Sequence, residues 1–378
     1  MQLSADRGSH RTDPLLAAAL LLPGLGAALV DPVHASTPPT TSEVELRWSH
    51  YDDFQPGAER MHVSSPALYW RSPLGERDAL AVSLIADALS GASPLFHDTL
   101  SGASGVGIRD FRRAGDVAWS HWFERWQLDA GVAFSDEADY DSVALRAGLS
   151  WSSADRNHTL RFALGANNDA IDSVNGLAVD RFRRVREAEI GWTMVLSPVS
   201  LLALGLSAGD ARGYHDDPYK PLDLRPHSRY PRTLTARWNR HFRAVEGTLR
   251  LEGRYYSDNW EVDALSVDAQ WEQPFTGAWT LIPHLRYHTQ SAAFFYADPP
   301  FGTGFVLDQP YSGDTRLAAF GAWTAGLAVR REFGAQWSAE WSFDFYRQDA
   351  RWRWFGTGSP GIPQLSARIT EVALRRQW

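Results

Sequence analysis

The chain of 378 residues contains no cysteine, so it has no disulfide framework, no thiolate nucleophile and no thiolate metal ligand. Lysine is almost absent as well. Lys220 is the only lysine, and arginine supplies the rest of the basic residues. The formal net charge is −8 and no basic run occurs, which excludes the electrostatic footprint of a nucleic-acid-binding protein.

Long apolar runs are also missing beyond residue 35. A membrane-spanning helix needs about 20 consecutive, mainly apolar residues, and no segment of the later sequence supplies them. If this part of the chain crosses a membrane, it must therefore do so with strands. A closed barrel is the architecture that leaves no backbone polar group unpaired in hydrocarbon.

The N-terminal region has the three parts of a secretory signal. Arg7 and Arg11 precede an apolar stretch at 15–30, which is followed by the small-residue cleavage site Val33-His34-Ala35. We predict that the mature protein starts at Ser36; a retained membrane anchor is the alternative.

The predicted domain organisation follows from this cleavage site. Residues 1–35 form the signal peptide, residues 36–41 a short N-terminal extension and residues 42–378 a single barrel domain.

Aromatic residues are abundant in an otherwise polar sequence. The chain has 17 Trp and 18 Phe, although its mean hydropathy is only −0.33. A membrane barrel produces this mixture because lipid-facing and lumen-facing residues alternate along each strand. Segment 337–346 shows the pattern: Trp337, Ala339, Trp341, Phe343 and Phe345 share one face, and Ser338, Glu340, Ser342, Asp344 and Tyr346 the other.

Segments with this alternation predict an all-β fold, namely a transmembrane antiparallel up-and-down β-barrel of about 16 strands. The even number and the alternation of short turns with long loops both fit single-chain bacterial barrels. The predicted strands are 42–53, 62–72, 78–89, 113–123, 126–136, 141–152, 157–167, 181–196, 199–209, 230–242, 246–257, 259–272, 278–289, 315–331, 336–348 and 366–378.

The last strand ends in an aromatic residue, as is typical of substrates of the barrel-assembly machinery. Val372, Leu374 and Trp378 fit the alternating apolar pattern of such a C-terminal signal, whereas Arg376 does not.

The polar faces of the strands supply candidate lumen-lining residues of both charges. Two interpretations stay open: these residues set a transverse field that selects polar solutes, or they pair with one another and brace the interior. The candidates are Arg146, Arg161, Arg237, Arg250, Glu252, Arg254, His284, Arg286, His288, Glu340 and Asp344. His284 and His288 would lie about 13 Å apart along a strand, too far to share a metal ion.

Two predicted long loops, 90–112 and 290–314, carry candidates for a plug or a partner contact. Small residues in the first loop would let its backbone pack tightly or fold into a pore, and the rings of the second would form an unusual apolar patch if they were exposed. These candidates are Ser90, Gly91, Ala92, Ser93 and Pro94 in the first loop, and Phe294, Phe295, Tyr296, Phe301 and Phe305 in the second. His97 and Asp98 lie near the serines, but sequence proximity does not make a catalytic triad.

Residues 87–94, Asp-Ala-Leu-Ser-Gly-Ala-Ser-Pro, and the repeated Ser-Gly-Ala-Ser at 101–104 carry a family resemblance. The chain resembles an uncharacterised family of bacterial outer-membrane barrels, classified as a domain of unknown function. The resemblance covers most of the mature chain. It implies a barrel and adds no activity, catalytic residue or ligand.

These observations favour a non-enzymatic barrel in the outer membrane of a Gram-negative bacterium, with no cofactor and no metal. The leading hypothesis is a porin-like channel or exporter for small polar molecules or short peptides. The second is a plugged structural or assembly scaffold that docks a partner through its long loops. Expected partners are outer-membrane lipid and lipopolysaccharide, the barrel-assembly machinery, and a periplasmic or lipoprotein partner.

Overall fold

The computed structural model describes residues 37–56, 58–91, 108–220, 222–300 and 302–378. Among these residues no helix is long and apolar enough to span a membrane. The predicted signal peptide, residues 1–35, precedes the first described residue. Ala92, Ser93, Pro94 and Phe301 also lie outside the described residues.

The described residues form one antiparallel sheet of 17 strands. One of them has only two residues, and each of the other 16 has at least 11 residues. The strands are β1 (Glu43–Gln55), β2 (Ala58–Pro73), β3 (Asp78–Gly91), β4 (Ile108–Trp122), β5 (Trp126–Asp136), β6 (Tyr140–Ser152), β7 (His158–Ile171), β8 (Arg181–Ser197), β9 (Ser200–Gly213), β10 (Ser228–Arg229), β11 (Arg232–Phe242), β12 (Gly247–Ser257), β13 (Asp263–Thr276), β14 (Trp279–Gln290), β15 (Phe320–Phe333), β16 (Trp337–Asp349) and β17 (Leu365–Gln377).

Pairing between the first and last strands closes the sheet into a barrel. β1 runs antiparallel to β17 from Glu43 opposite Gln377 to Phe54 opposite Ser366. β9 pairs with β11 directly, and β10 adds only two residues to its edge in the loop. The prediction of a closed antiparallel barrel with 16 spanning strands is confirmed.

The two ends of the barrel differ. At the end that holds Glu43 and Gln377, which we call the turn end, connections have at most five residues. At the opposite end, the loop end, the connections include 214–231, 291–319 and 350–364. Short turns at one end and long loops at the other are the expected asymmetry of a membrane barrel.

Apolar side chains on one face of each strand stay exposed. Leu46, Trp48, Leu145 and Ile190, for example, are each more than half exposed. This is the outer face, because in a closed ring the inner faces look toward one another. The apolar face predicted for segment 337–346 is part of it, with Trp337, Trp341 and Phe345 exposed.

Arginines stack on aromatic rings at the turn-end edge of the outer face. The Arg376 guanidinium lies 5.3 Å from the Trp337 ring centroid and 5.4 Å from that of Trp378. Arg331 lies 5.0 Å from the Trp279 centroid. Long arginine stems cover apolar surface while their charged ends reach water. Arg376, which departs from the C-terminal pattern, thus fits the edge of an apolar band.

Several strands extend further toward the loop end than the sequence predicts. Ser90 and Gly91, predicted to be in a loop, belong to β3, where they pair with Arg109 and Ile108. The buried ion pair between Arg112 and Asp87, at 2.6 Å, fastens β4 to β3 below this point. Cross-strand ion pairs of this kind stabilise a ladder where the apolar pattern fades.

Two strands begin four or five residues later than the sequence predicts. β13 begins at Asp263 rather than at 259, because the Trp260 amide donates to the Asp258 side chain in a tight turn. β15 begins at Phe320 rather than at 315. Residues 315–317 instead form a 3₁₀ turn that the Asp314 carboxylate caps.

Candidate channel lumen and the cover of its mouth

Charged residues on the inner face pair across the barrel wall. Arg237 bonds to Glu252 on the neighbouring strand at 2.5 Å, and Arg375 to Glu45 at 2.7 Å across the seam between β17 and β1. Such pairs satisfy charges that would otherwise be costly in a half-buried site.

A longer chain of ion pairs crosses four strands of the inner face. Glu272 on β13 accepts from Arg250 at 2.7 Å and from Arg330 at 3.2 Å, and Arg330 also donates to Glu340 at 2.9 Å. This series of ion pairs links β12, β13, β15 and β16. It fits the interpretation in which the lumen residues pair with one another and brace the interior.

Other ion pairs skip a strand and pass over a glycine. Arg161 on β7 donates to Asp129 on β5 at 2.9 Å, and the intervening strand β6 has Gly148 beneath the pair. Arg146 reaches Asp116 at 3.0 Å in the same way, above Gly131. A Cβ at Gly131 would lie 2.5 Å from the arginine Nε. The glycines therefore let arginine side chains lie flat against the inner wall.

A third pair of this kind involves His284, one of the predicted lumen residues. His284 Nδ1 on β14 lies 3.2 Å from Asp344 on β16, with Gly326 of β15 between the two strands. A Cβ at Gly326 would overlap the Asp344 carboxylate. His284 also approaches Asp268, at 3.8 Å.

We expect Gly326→Ala to lower the free energy of unfolding by about 1–3 kcal/mol, because it separates a partly buried hydrogen-bonded pair. Urea unfolding of the refolded barrel, followed by its heat-modifiable gel migration, measures the change. Gly253→Ala is the matched control, since nothing lies within 4 Å of a Cβ there. Equal stability of the two variants would contradict the expectation.

Two inward arginines differ from the others. Among the described residues, neither Arg254 on β12 nor Arg286 on β14 has an ion-pair partner within 4.0 Å, and both are exposed. His288, on the same wall, lies 2.8 Å from the Ser266 hydroxyl. The guanidinium groups of Arg254 and Arg286 are therefore available to a solute in the lumen.

The loop 291–319 packs against the loop end of the inner wall. Phe295 is buried with Trp260 and Leu317 in an apolar cluster that includes Tyr256, an inner-face residue of β12. The Trp260 and Phe295 rings meet edge to face at 5.2 Å. This cluster ties the base of the loop to the mouth.

A second apolar cluster continues this contact toward β16. It contains Phe320, Ala322 and Ile362, with Tyr296 and the inner-face Tyr346 packed against it. Because Ala322 and Tyr346 face inward, the base of loop 291–319 lies over the mouth on the β12–β16 side. We call this base, residues 291–297 and 311–319, the mouth cover.

Buried charges join the mouth cover to the loop 214–231. Asp314 is 1% exposed and contacts Arg316 at 2.5 Å, Arg225 at 3.0 Å and Lys220 at 3.6 Å. Asp223 completes the cluster through Arg225 at 2.7 Å. Burial alone would raise the pKa of Asp314, but the three cations outweigh it and hold this pKa well below the usual range.

His215 lies beside this cluster, under the same cover. Its Nδ1–H donates to the Gly213 carbonyl at 3.0 Å, and its ring meets Trp260 at 5.5 Å. Burial lowers the pKa of His215 to about 4, so the ring is neutral at physiological pH.

The structure places the predicted candidates as follows. Every predicted lumen residue lies on the inner face, most of them in the pairs described above. In the aromatic loop, Phe294, Phe295 and Tyr296 belong to the mouth cover, and Phe294 is half exposed. Phe305 lies outside the cover, and its ring centroid is 5.5 Å from that of Tyr311 in the cover.

Sequence reasoning missed the ion cluster and the residues around it. The ion pairs between the two loops join residues that are 89 or more positions apart, such as Arg225 with Asp314 and Arg316 with Asp217. No short sequence motif can reveal pairs at such separations. The only usable signal was Lys220, the single lysine in an arginine-rich chain.

Several solved structures resemble the chain in fold. The chain matches a bacterial polysaccharide outer membrane secretin with a TM-score of 0.53 and 8% identity, covering 89% of this chain and 98% of that one. It also matches Pseudomonas aeruginosa OccK2 (OpdF) in complex with glucuronate (TM-score 0.44, 13% identity, 91% and 99% covered). A Pseudomonas aeruginosa FadL homologue gives a TM-score of 0.44 at 10% identity, with 89% and 90% covered. At these identities the likeness concerns the fold alone.

The chain is thus a β-barrel of the outer-membrane type. It belongs to the family described as "Protein of unknown function (DUF3570)", whose model matches residues 98–184 and 177–369. This confirms the resemblance to an uncharacterised barrel family. No curated protein matches the chain.

Proposed function

We propose that the protein resides in the outer membrane of a Gram-negative bacterium and acts there as a non-enzymatic, porin-like channel or exporter. The solutes are small polar molecules or short peptides. The observation that carries the proposal is the charged inner face of a barrel with 16 spanning strands, a size that can hold an aqueous channel. Lipid and lipopolysaccharide would contact the apolar outer face, and the barrel-assembly machinery would insert the chain.

Single-channel conductance of the refolded mature protein, residues 36–378, tests this function. Stable conductance in a planar bilayer is the expected result. A folded barrel that is silent, together with unchanged solute uptake in a deletion strain, would contradict it.

Arg254 and Arg286 should give the channel its charge preference. We expect Arg254→Gln combined with Arg286→Gln to lower the ratio of anion to cation permeability, because both guanidinium groups are exposed in the lumen and neither has an ion-pair partner within 4.0 Å among the described residues. Reversal potentials in a salt gradient measure the ratio.

The control for this variant removes two arginines from the outer face, Arg184→Gln with Arg186→Gln. It changes the net charge equally and should leave the permeability ratio as it was. A shift of the same size in both variants would show that the lumen arginines do not set selectivity.

The mouth cover favours a second function, a plugged scaffold that docks a periplasmic, lipoprotein or extracellular partner. The cover is packed and ion-paired, whereas Phe294 on the cover is 53% exposed and Leu307 on the tip of the same loop is 75% exposed. Exposed apolar side chains beside a fixed base would suit a protein contact.

A further inference from the structure

The segment 350–355 lies on the outside of the barrel, unlike the mouth cover. It follows β16 and crosses the outer wall of β14 and β15. The Tyr287 hydroxyl donates to the Trp352 carbonyl at 2.6 Å, and the Trp354 amide donates to the Thr289 hydroxyl at 3.0 Å. Thr289 is only 4% exposed although it belongs to the outer face, because this segment covers it.

A glycine makes the crossing possible. Gly321 lies on the outer face of β15, opposite Thr289. A Cβ at Gly321 would overlap the carbonyl oxygen of Trp352. The backbone of the segment therefore rests directly on the wall, and a side chain at position 321 would lift it away.

Aromatic residues of the segment extend a patch of rings on the wall. The Tyr287 and Trp323 rings are tilted by 48° with centroids 4.7 Å apart, and Trp354 meets Tyr287 edge to face at 5.6 Å. Trp354 is 58% exposed and Phe355 80% exposed. Exposed Trp and Phe at the edge of an apolar band are typical of contact with the lipid interface.

Arginines surround these rings. Arg351, on the segment, is 76% exposed, and Asp349 holds its guanidinium at 2.7 Å. Arg347, on β16, lies 5.5 Å from the Trp352 ring centroid, and Arg353, on the segment, donates to the Thr357 carbonyl just beyond it. Three arginines with one aspartate leave a net positive charge where the apolar band ends.

We propose that segment 350–355 is a binding site for a lipid with a net anionic, phosphate-bearing headgroup in the outer-facing leaflet. Trp354 and Phe355 contact its acyl chains near the headgroup, and the guanidinium groups of Arg347, Arg351 and Arg353 bind its phosphates in the bidentate manner that suits arginine. The inference rests on the proposed outer-membrane location and is independent of conductance.

Native mass spectrometry of the full mature barrel, released from nanodiscs that contain lipid A in phosphatidylcholine, tests the site. The wild-type barrel should retain lipid A, and Arg351→Ala combined with Arg353→Ala should lose it. Gly321→Val should also lose it, although every arginine remains, because it displaces the segment. Arg184→Ala, on the outer face away from the segment, is the control and should retain lipid A as the wild type does.

Equal retention by all variants would overturn the site, provided that each migrates as a folded barrel in unheated gels. Complete displacement of lipid A by free inorganic phosphate would also overturn it, because the site would then bind a soluble anion. A barrel that conducts but retains no lipid A separates failure of this site from failure of the channel function.

Discussion

Replacing residues 293–317 by a short flexible linker is expected to raise the single-channel conductance several-fold. The deletion removes Phe295 and Leu317, whose apolar cluster ties the mouth cover to Tyr256 on the inner wall. It leaves β14 and β15 intact, and their pairing from Trp279 opposite Arg331 to Gln290 opposite Phe320 holds the barrel closed.

A smaller deletion of residues 298–310 serves as the control. It removes the tip with Leu307 but keeps the base, where the Ala297 amide donates to the Ser312 carbonyl at 2.9 Å. The channel hypothesis expects nearly wild-type conductance from this variant. If neither deletion changes the conductance and the tip deletion abolishes binding of a purified partner protein, the scaffold function replaces the channel.

Asp314→Asn is expected to detach the mouth cover from the loop 214–231 while the barrel stays folded. The substitution leaves Arg225 and Lys220 buried without their shared carboxylate, and removing one member of a buried ion pair costs about 3–5 kcal/mol. Backbone amide exchange in the two loops should accelerate by about a hundredfold or more, since about 1.4 kcal/mol corresponds to a factor of ten.

Asp308→Asn is the matched control for this variant. Asp308 lies on the exposed tip of the same loop, so its neutralisation should leave amide exchange at the level of the wild type. Equal protection of the loops in Asp314→Asn and in the wild type would show that the ion cluster does not hold the cover.

The same cluster predicts how loop docking depends on pH. Folding lowers the pKa of Asp314. Its contribution to the stability of the docked loops is therefore fully present above the ordinary aspartate pKa of about 4, and it is lost as pH falls through the lowered pKa of the folded state. Protonation of His215 affects docking at higher pH than protonation of Asp314. The contribution of the buried, neutral His215 ring to loop stability is complete above about pH 6.5, and it is lost as pH falls toward the folded pKa of about 4. As pH falls, the protection of these loops against amide exchange, taken relative to the intrinsic exchange rate at each pH, should therefore decrease first between about pH 6.5 and about pH 4.

The sequence by itself determined the barrel. Alternation with a period of two fixes which side chains face outward, because a slip of one residue would turn an apolar face toward water. Trp341 and Glu340 are adjacent in sequence and lie on opposite faces, as that rule requires. Strand count and the two kinds of connection follow from the same pattern, since both depend on local order along the chain.

Only the tertiary structure decided which charges are paired and where the loops lie. Arg161 meets Asp129 over Gly148, whereas Arg254 has no ion-pair partner within 4.0 Å in the described part of the chain, although in the sequence each is an arginine on a polar strand face. The loop 291–319 turns inward and segment 350–355 turns outward, although both are rich in aromatic residues. The physical reason is that side chains distant in sequence meet only when the sheet closes, and strand periodicity carries no information about those contacts.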